Sequence, residues 1–85
     1  MKLLWTQQGW EDYRHWIATD RKILRKVDSL IKDIQRSPFS GIARPEALKH
    51  ELSCGWWSRE IGEEHRLVYR VVDQIIEIAQ SRGHY

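Results

Sequence analysis

The feature of this sequence that most limits its fold is a change in the spacing of apolar residues on either side of a proline-containing segment. Before Pro38, apolar residues recur at three- and four-residue steps, as on one face of a helix: Ile23, Leu24, Val27, Leu30, Ile31 and Ile34. After the segment, apolar and polar residues alternate, as in half-buried strands. A change from the helical period to a period of two predicts an α+β domain, with helices on one side of a sheet.

Two helices are predicted in the N-terminal part, after a first strand at residues 2–5. The first helix lies within residues 7–18, where the apolar side chains share one face: Trp10, Tyr13, Trp16 and Ile17. Thr19-Asp20 offers a break and an N-cap for the second helix. That helix ends before Pro38, because proline disfavours helical backbone at the residue that precedes it. Its many basic residues fit a solvated helix face.

The C-terminal part is predicted to form an antiparallel sheet. Residues 37–48 contain two Pro and one Gly, which indicates a long ordered loop. Four alternating runs follow, separated by short breaks, at residues 51–53, 57–61, 66–72 and 75–79. Short breaks predict hairpins, so the complete sheet is expected to have about four to five strands.

Size and composition exclude several classes of protein. A chain of 85 residues suffices for one domain, which we place at residues 1–85. One cysteine, Cys54, excludes an internal disulfide and favours a reduced, cytoplasmic setting. No apolar run approaches the roughly 20 residues that span a bilayer. The net charge is only +2, but nine of the 14 cations are Arg, which suits planar contacts to phosphate.

The sequence contains no motif that predicts a metal or another cofactor. Its four His have no paired Cys and no metalloprotease spacing, and no Gly-rich phosphate loop is present. Cys54 is better explained as a cysteine in a hairpin turn than as a nucleophile. Three polar clusters remain as candidates, at residues 44–50, 63–66 and 82–85. Each also has a plainer explanation, respectively a charged surface loop, a polar hairpin turn and a frayed chain end.

These clusters contain the groups that cleave RNA without a metal. A base removes the proton of a 2′-OH, which then attacks the adjacent phosphate, while cations stabilise the added negative charge and an acid protonates the departing 5′-oxygen. Glu, Arg and His provide these functions, since an unperturbed His exchanges its proton near neutral pH. The composition permits this chemistry without demonstrating it.

At these clusters the sequence resembles the YoeB toxins, a branch of the RelE-like superfamily, along essentially its whole length. The order and spacing of five segments carry the resemblance: Leu30-Ile31-Lys32-Asp33-Ile34, Pro45-Glu46-Ala47-Leu48-Lys49-His50, Trp57-Ser58-Arg59, Glu64-His65-Arg66-Leu67-Val68-Tyr69 and His84-Tyr85. The resemblance implies a microbial-ribonuclease-like fold, with an antiparallel sheet and two N-terminal helices. It also implies cleavage of messenger RNA in the ribosomal A site.

The resemblance further implies a role for individual residues. Glu46 would be the general base, Arg66 would stabilise the phosphorane-like transition state, and His84 would be the general acid. Tyr85 would orient the substrate or stack on a base. Supporting positions near RNA would be Lys49, His50 and Arg59. The implied partners are the ribosome, messenger RNA and a YefM-like antitoxin, and a homodimer is left open.

Two positions depart from the family pattern. Cys54 is one extra residue before Gly55, which predicts a longer hairpin there, and Glu60 stands where many relatives carry a second basic residue. A carboxylate at position 60 would repel phosphate, so we do not expect Glu60 to contact RNA. Two other functions stay open: a module that blocks translation by binding the ribosome without cutting, and a protein that acts only within a complex with its antitoxin.

Overall fold

The computed structural model describes residues 1–49 and 55–83, which form a five-stranded sheet and two helices. In chain order the elements are β1 (Lys2–Trp5), α1 (Gln7–Thr19), α2 (Arg21–Arg36), β2 (Glu46–Ala47), β3 (Trp57–Glu60), β4 (Arg66–Val72) and β5 (Ile75–Gln80). The strand order in the sheet is β1-β5-β4-β3-β2. The α+β class, the two N-terminal helices and the approximate strand number are therefore confirmed. The strand predicted at residues 51–53 lies outside the described residues.

The sheet is mixed, whereas a wholly antiparallel sheet was expected. Strands β2 to β5 pair with antiparallel neighbours, but β1 pairs in parallel with β5, with Lys2 opposite Ile75 and Trp5 opposite Ile78. Alternating residues and short turns indicate the direction of strands that are joined by hairpins. They carry no information about β1, because two helices and three strands separate it from its partner β5 in the chain.

Both helices begin where a side-chain oxygen caps the first turn. Thr6 Oγ1 accepts a hydrogen bond from the Gly9 amide at the start of α1. Asp20 Oδ1 accepts from the amides of Lys22 and Ile23 and so begins α2, as predicted for the Thr19-Asp20 break. Gly9 also allows α1 to lie close to β5, since a Cβ atom at that position would be 2.2 Å from the carbonyl oxygen of Ile78.

The core lies between α2 and one face of the sheet. Val27, Leu30 and Ile34 of α2 are completely buried, as predicted from their helical spacing. The inward-facing residues of β4 and β5 are buried with them: Leu67, Tyr69, Ile76 and Ile78. Within residues 1–49 and 55–83, no helix is long and apolar enough to cross a membrane.

Candidate active site

The site is built where the short edge strand β2 pairs with β3, whose other neighbour is β4. Glu46 of β2 pairs with Ser58 of β3, and Glu60 of β3 pairs with Arg66 of β4. The Glu46 side chain is 62% exposed, so its carboxylate is accessible to a ligand. The pairing therefore brings together Glu46 and Arg66, two residues from different predicted polar clusters.

Arg66 is oriented by its neighbours but not saturated by them. Its Nε donates a hydrogen bond of 3.0 Å to Ser58 Oγ. Its Nη2 lies 3.8 Å from Glu46 Oε2, and its Nη1 lies 3.9 Å from Glu60 Oε1. Nη2 is shielded from solvent and has no hydrogen-bond partner among the described residues. A shielded guanidinium nitrogen without an acceptor is unfavourable, and an oxyanion placed there would satisfy it.

Beside this cation there is an open cavity of about 470 Å³, lined by Glu60, Gly62, Glu63 and Arg66. Glu60 Oε1 is also 3.4 Å from Arg44 Nη1, so one carboxylate is shared between two guanidinium groups. The departure at position 60 thus places a negative charge next to Arg66, where it partly offsets that residue's charge.

Lys49 lines a second cavity, of about 670 Å³, together with the segment Glu46-Ala47-Leu48. Lys49 is exposed, and it lies two residues after the end of β2. The other predicted site residues, His50, His84 and Tyr85, lie outside the described residues, as does Cys54.

Arg59 lies in the interior, and this corrects the prediction that places it near RNA. Its side chain is fully buried, and each of its five N–H donors has an acceptor. Nε donates to Tyr69 Oη, and Nη1 donates to Asp33 Oδ2 and to the Ile42 carbonyl. Nη2 donates to the carbonyls of Ser37 and Ser40. Alternation along β3 puts Ser58 and Glu60 on the same face as the site and directs Arg59 into the core.

Arg59 therefore supports the segment that leads to Glu46. Three carbonyls of residues 37–42 converge on its guanidinium, and the Ile42 amide donates to Asp33 Oδ2. The next two residues, Ala43 and Arg44, have positive φ angles of 65° and 52°. A loop held at so many points gives β2 a fixed start, and with it a fixed backbone position for Glu46.

Asp33 is the other half of this support, a role that sequence reasoning missed. Hydrogen bonds from Arg59, Arg36 and the Ile42 amide lower the pKa of Asp33 from 3.8 to about 2. The signal was present in the sequence, because Asp33 falls among the apolar residues of α2, where an unpaired carboxylate would be costly.

The third polar cluster is partly described. The Gly83 amide donates to His65 Nδ1 at 2.8 Å, and the Arg66 amide donates to the Gly83 carbonyl at 3.1 Å. Gly83 is thereby attached at the start of β4, next to the residue whose side chain faces Glu46. The Glu63–Arg66 cluster and the C-terminal cluster are separate in the sequence, and the structure joins them at Gly83.

No three His, Cys, Asp or Glu side chains in residues 1–49 and 55–83 are grouped so that they could hold a metal ion. That RNA cleavage would need no metal stays a prediction.

Comparison with known proteins places this architecture in one family. The family model described as "YoeB-like toxin of bacterial type II toxin-antitoxin system" matches residues 5–85. Toxin YoeB of Escherichia coli K12 is 54% identical over 85 residues, which cover all of both chains. The structure of the YoeB dimer from Staphylococcus aureus matches with a TM-score of 0.93 at 41% identity, covering 100% of this chain and 98% of that one.

A second structure from Staphylococcus aureus, the heterotetrameric YoeB–YefM toxin–antitoxin complex, matches with a TM-score of 0.90 at 41% identity over the same shares of the two chains. Since both the family model and a relative of equal length match nearly the whole sequence, the chain belongs to the YoeB-like toxins of bacterial type II toxin–antitoxin systems.

Proposed function

We propose that this toxin is a ribosome-dependent endoribonuclease that cuts messenger RNA in the ribosomal A site. The observation that carries the proposal is Arg66 Nη2, which has no hydrogen-bond partner among the described residues and lies 3.8 Å from the exposed carboxylate of Glu46. The Arg66 side chain is 21% exposed and lines the open cavity, so an RNA phosphate can reach its guanidinium group, where it would supply an acceptor next to the proposed general base.

The proposed reaction combines these two side chains with the roles that the family resemblance implies for His84 and Tyr85. Glu46 takes the proton of a 2′-OH, whose oxygen forms a bond to the adjacent phosphorus. Arg66 stabilises the negative charge that develops on the non-bridging oxygens. The bond from phosphorus to the 5′-oxygen then breaks, and His84 gives its proton to that oxygen. The products are a 2′,3′-cyclic phosphate and a free 5′-hydroxyl, with Tyr85 orienting the substrate or stacking on a base.

We propose supporting roles for Lys49, His50 and Arg59. Lys49 is exposed beside Glu46 and is suited to contact the RNA backbone, and His50 is proposed to act near it. Arg59 supports the reaction indirectly, through the loop that leads to β2. We propose no cofactor, because the acid, the base and the charge-stabilising group are all side chains of this chain.

We further propose that a YefM-like antitoxin binds this toxin and that the free toxin forms a homodimer, in the cytoplasm. The support is the resemblance to the Staphylococcus aureus proteins, which are described as a YoeB–YefM complex and as a YoeB dimer.

A reconstituted translation reaction tests the proposed activity. The toxin is added to purified ribosomes stalled at a defined codon, and the 5′ ends of the messenger are mapped by primer extension. We expect a cut within the A-site codon, and with Glu46→Gln we expect ribosome binding without the cut. A wild-type protein that stops translation and leaves the messenger intact is a non-cleaving inhibitor, and the endonuclease proposal is then wrong.

A control reaction contains the same messenger without ribosomes. Cutting of the free messenger at the same rate would contradict the dependence on the ribosome while leaving the nuclease chemistry in place. A third set of reactions contains excess chelator, with magnesium returned to the level that ribosomes need. Cleavage that persists on intact ribosomes would agree with a metal-independent reaction.

A further inference from the structure

The last described residues are held by side chains of α1 as well as by β4. The Ser81 amide donates a hydrogen bond of 3.0 Å to Asp12 Oδ2, and the Ser81 carbonyl accepts one of 3.1 Å from Trp16 Nε1. Asp12 is only 2% exposed and Ser81 is completely buried. A buried carboxylate is costly unless hydrogen bonds compensate it, and here the second one comes from Gln8 Nε2 at 2.7 Å. The buried Asp12 carboxylate therefore binds the backbone of Ser81.

A second attachment follows two residues later. His65 Nδ1 accepts from the Gly83 amide, so the ring carries its proton on Nε2 when this bond is present. The His65 ring also meets the Trp16 ring edge to face, with centroids 4.8 Å apart. The two attachments are therefore parts of one assembly, in which Trp16 contacts both Ser81 and His65.

Burial of apolar surface does not explain why segment 81–83 is held in place. The last strand ends at Gln80, and in the segment 81–83 Arg82 is exposed and Gly83 has no side chain. The hydrogen bonds instead fix the backbone on both sides of Arg82. The Gly83 carbonyl, moreover, is bound by the amide of Arg66, the residue that faces Glu46. Since His84 follows Gly83 directly, the segment determines where the last two residues begin relative to Arg66.

We infer that Asp12, Trp16 and His65 are positioning residues for the cleavage reaction, which hold segment 81–83 so that the acid at His84 is presented to the leaving 5′-oxygen. The inference rests on the proposed function. In the proposed mechanism none of the three reacts, and their effect is on geometry. A displacement of about 1 Å costs up to roughly 100-fold in rate, so the loss of one attachment is expected to be measurable.

Matched substitutions at His65 distinguish the effect of its hydrogen-bond acceptor from the effect of its aromatic ring. His65→Phe keeps an aromatic ring next to Trp16 but has no acceptor for the Gly83 amide. His65→Asn loses the ring, yet its side-chain oxygen replaces Nδ1 as an acceptor. His15→Phe is the control, because the His15 ring also packs against Trp16, at 4.9 Å, without a hydrogen bond to Ser81 or Gly83 in the structure.

Two readouts are measured for each variant. The first is the single-turnover cleavage rate on ribosomes, beside the Kd for the ribosome. The second is hydrogen exchange at the Gly83 amide, which does not depend on activity. We expect His65→Phe to lower the rate by about 10- to 100-fold at an unchanged Kd and to accelerate exchange at Gly83. His65→Asn should restore most of the rate and of the protection, and His15→Phe should resemble the wild type.

A folded His65→Phe protein that cuts at the wild-type rate overturns the inference, as does a His65→Asn protein no better than His65→Phe. Asp12→Ala and Asp12→Asn form a second pair, since the Asn oxygen can still accept from the Ser81 amide, and this pair decides the matter if His65→Phe does not fold. Failure of the proposed function is seen differently, because the wild-type protein itself would then leave the messenger uncut.

Discussion

Asp33 and Arg59 form a buried ion pair that joins α2 to β3 across 26 positions of the sequence. The pair lies beneath the loop that precedes Glu46, and three carbonyls of that loop bind the same guanidinium. Removing one member of a buried pair leaves an uncompensated charge, which is generally more damaging than replacing both. The position of the proposed base therefore depends on an interaction in the core.

The Asp33–Arg59 pair makes the stability of the toxin dependent on pH. Because the pKa of Asp33 falls from 3.8 to about 2 on folding, its contribution is fully present above about pH 4 and is lost as the pH falls through about 2. We expect the free energy of unfolding to decrease over this window. Urea unfolding between pH 2 and pH 6 measures it, with Asp33→Asn as the comparison. Wild-type and variant profiles of equal slope below pH 4 would contradict the prediction.

Gly41 is predicted to be irreplaceable in the loop above this pair. Its φ angle is +106°, and a Cβ atom there would be 2.2 Å from Asp33 Oδ2. Gly41→Ala should therefore lower the free energy of unfolding by roughly 1–3 kcal/mol. Gly62→Ala is the control, because Gly62 has no atom within 4 Å of an added Cβ and no positive φ. Equal thermal midpoints for the two variants would show that the loop adapts.

Local patterns in the sequence were sufficient to predict most of the elements. The positions of Val27, Leu30 and Ile34 predicted the buried face of α2, and Asp20 predicted its start. The family resemblance supplied Glu46 and Arg66 as a pair. What could not be predicted was the direction of β1, because a parallel pairing with β5 leaves no mark in the alternation of either strand.

The interior role of Arg59 was missed for a related reason. An Arg in a short strand next to Ser58 and Glu60 is consistent with exposure, and only the pairing of β3 with β4 decides which face it occupies. Its neutralising partner is on α2, and most of its other acceptors are backbone carbonyls, which every residue has. Composition and spacing therefore gave no sign that this cation is a core residue.

Glu60 is predicted to weaken the interaction of Arg66 with phosphate. Its carboxylate is 38% exposed and 3.9 Å from Arg66 Nη1, and an exposed ion pair is worth about 1 kcal/mol or less. Glu60→Gln should raise kcat/KM for ribosome-bound messenger by up to about fivefold, with a larger effect at low salt. Glu63→Gln is the control, since Glu63 lines the same cavity and has no ion pair to Arg66 among the described residues. An equal response of both variants would indicate a general charge effect.

Arg66→Ala is predicted to slow cutting more than it weakens binding. A group that stabilises developing negative charge typically contributes about 10²–10³ in rate, whereas under the proposed function binding to the ribosome depends on many other contacts. Single-turnover rates and ribosome affinities are measured side by side. Arg70→Ala is the matched control, because Arg70 lies on the same strand and its Nε is bound to Glu77 at 2.8 Å. If the rate and the affinity of Arg66→Ala fall by the same factor, Arg66 acts in binding alone.

Removal of His84 and Tyr85 is predicted to abolish toxicity while the domain stays folded. The shortened protein keeps Ser81 and Gly83, whose hydrogen bonds to Asp12 and His65 hold segment 81–83. Stability should therefore change little, whereas loss of the general acid should cost about 10²–10⁴ in rate. Thermal midpoints, far-UV spectra and growth with and without antitoxin are measured for the form that contains residues 1–83. A protein that is folded, bound by antitoxin and harmless is expected. A folded form that still arrests growth at full potency would mean that the acid lies elsewhere, and His50 and His65 would then be the residues to replace.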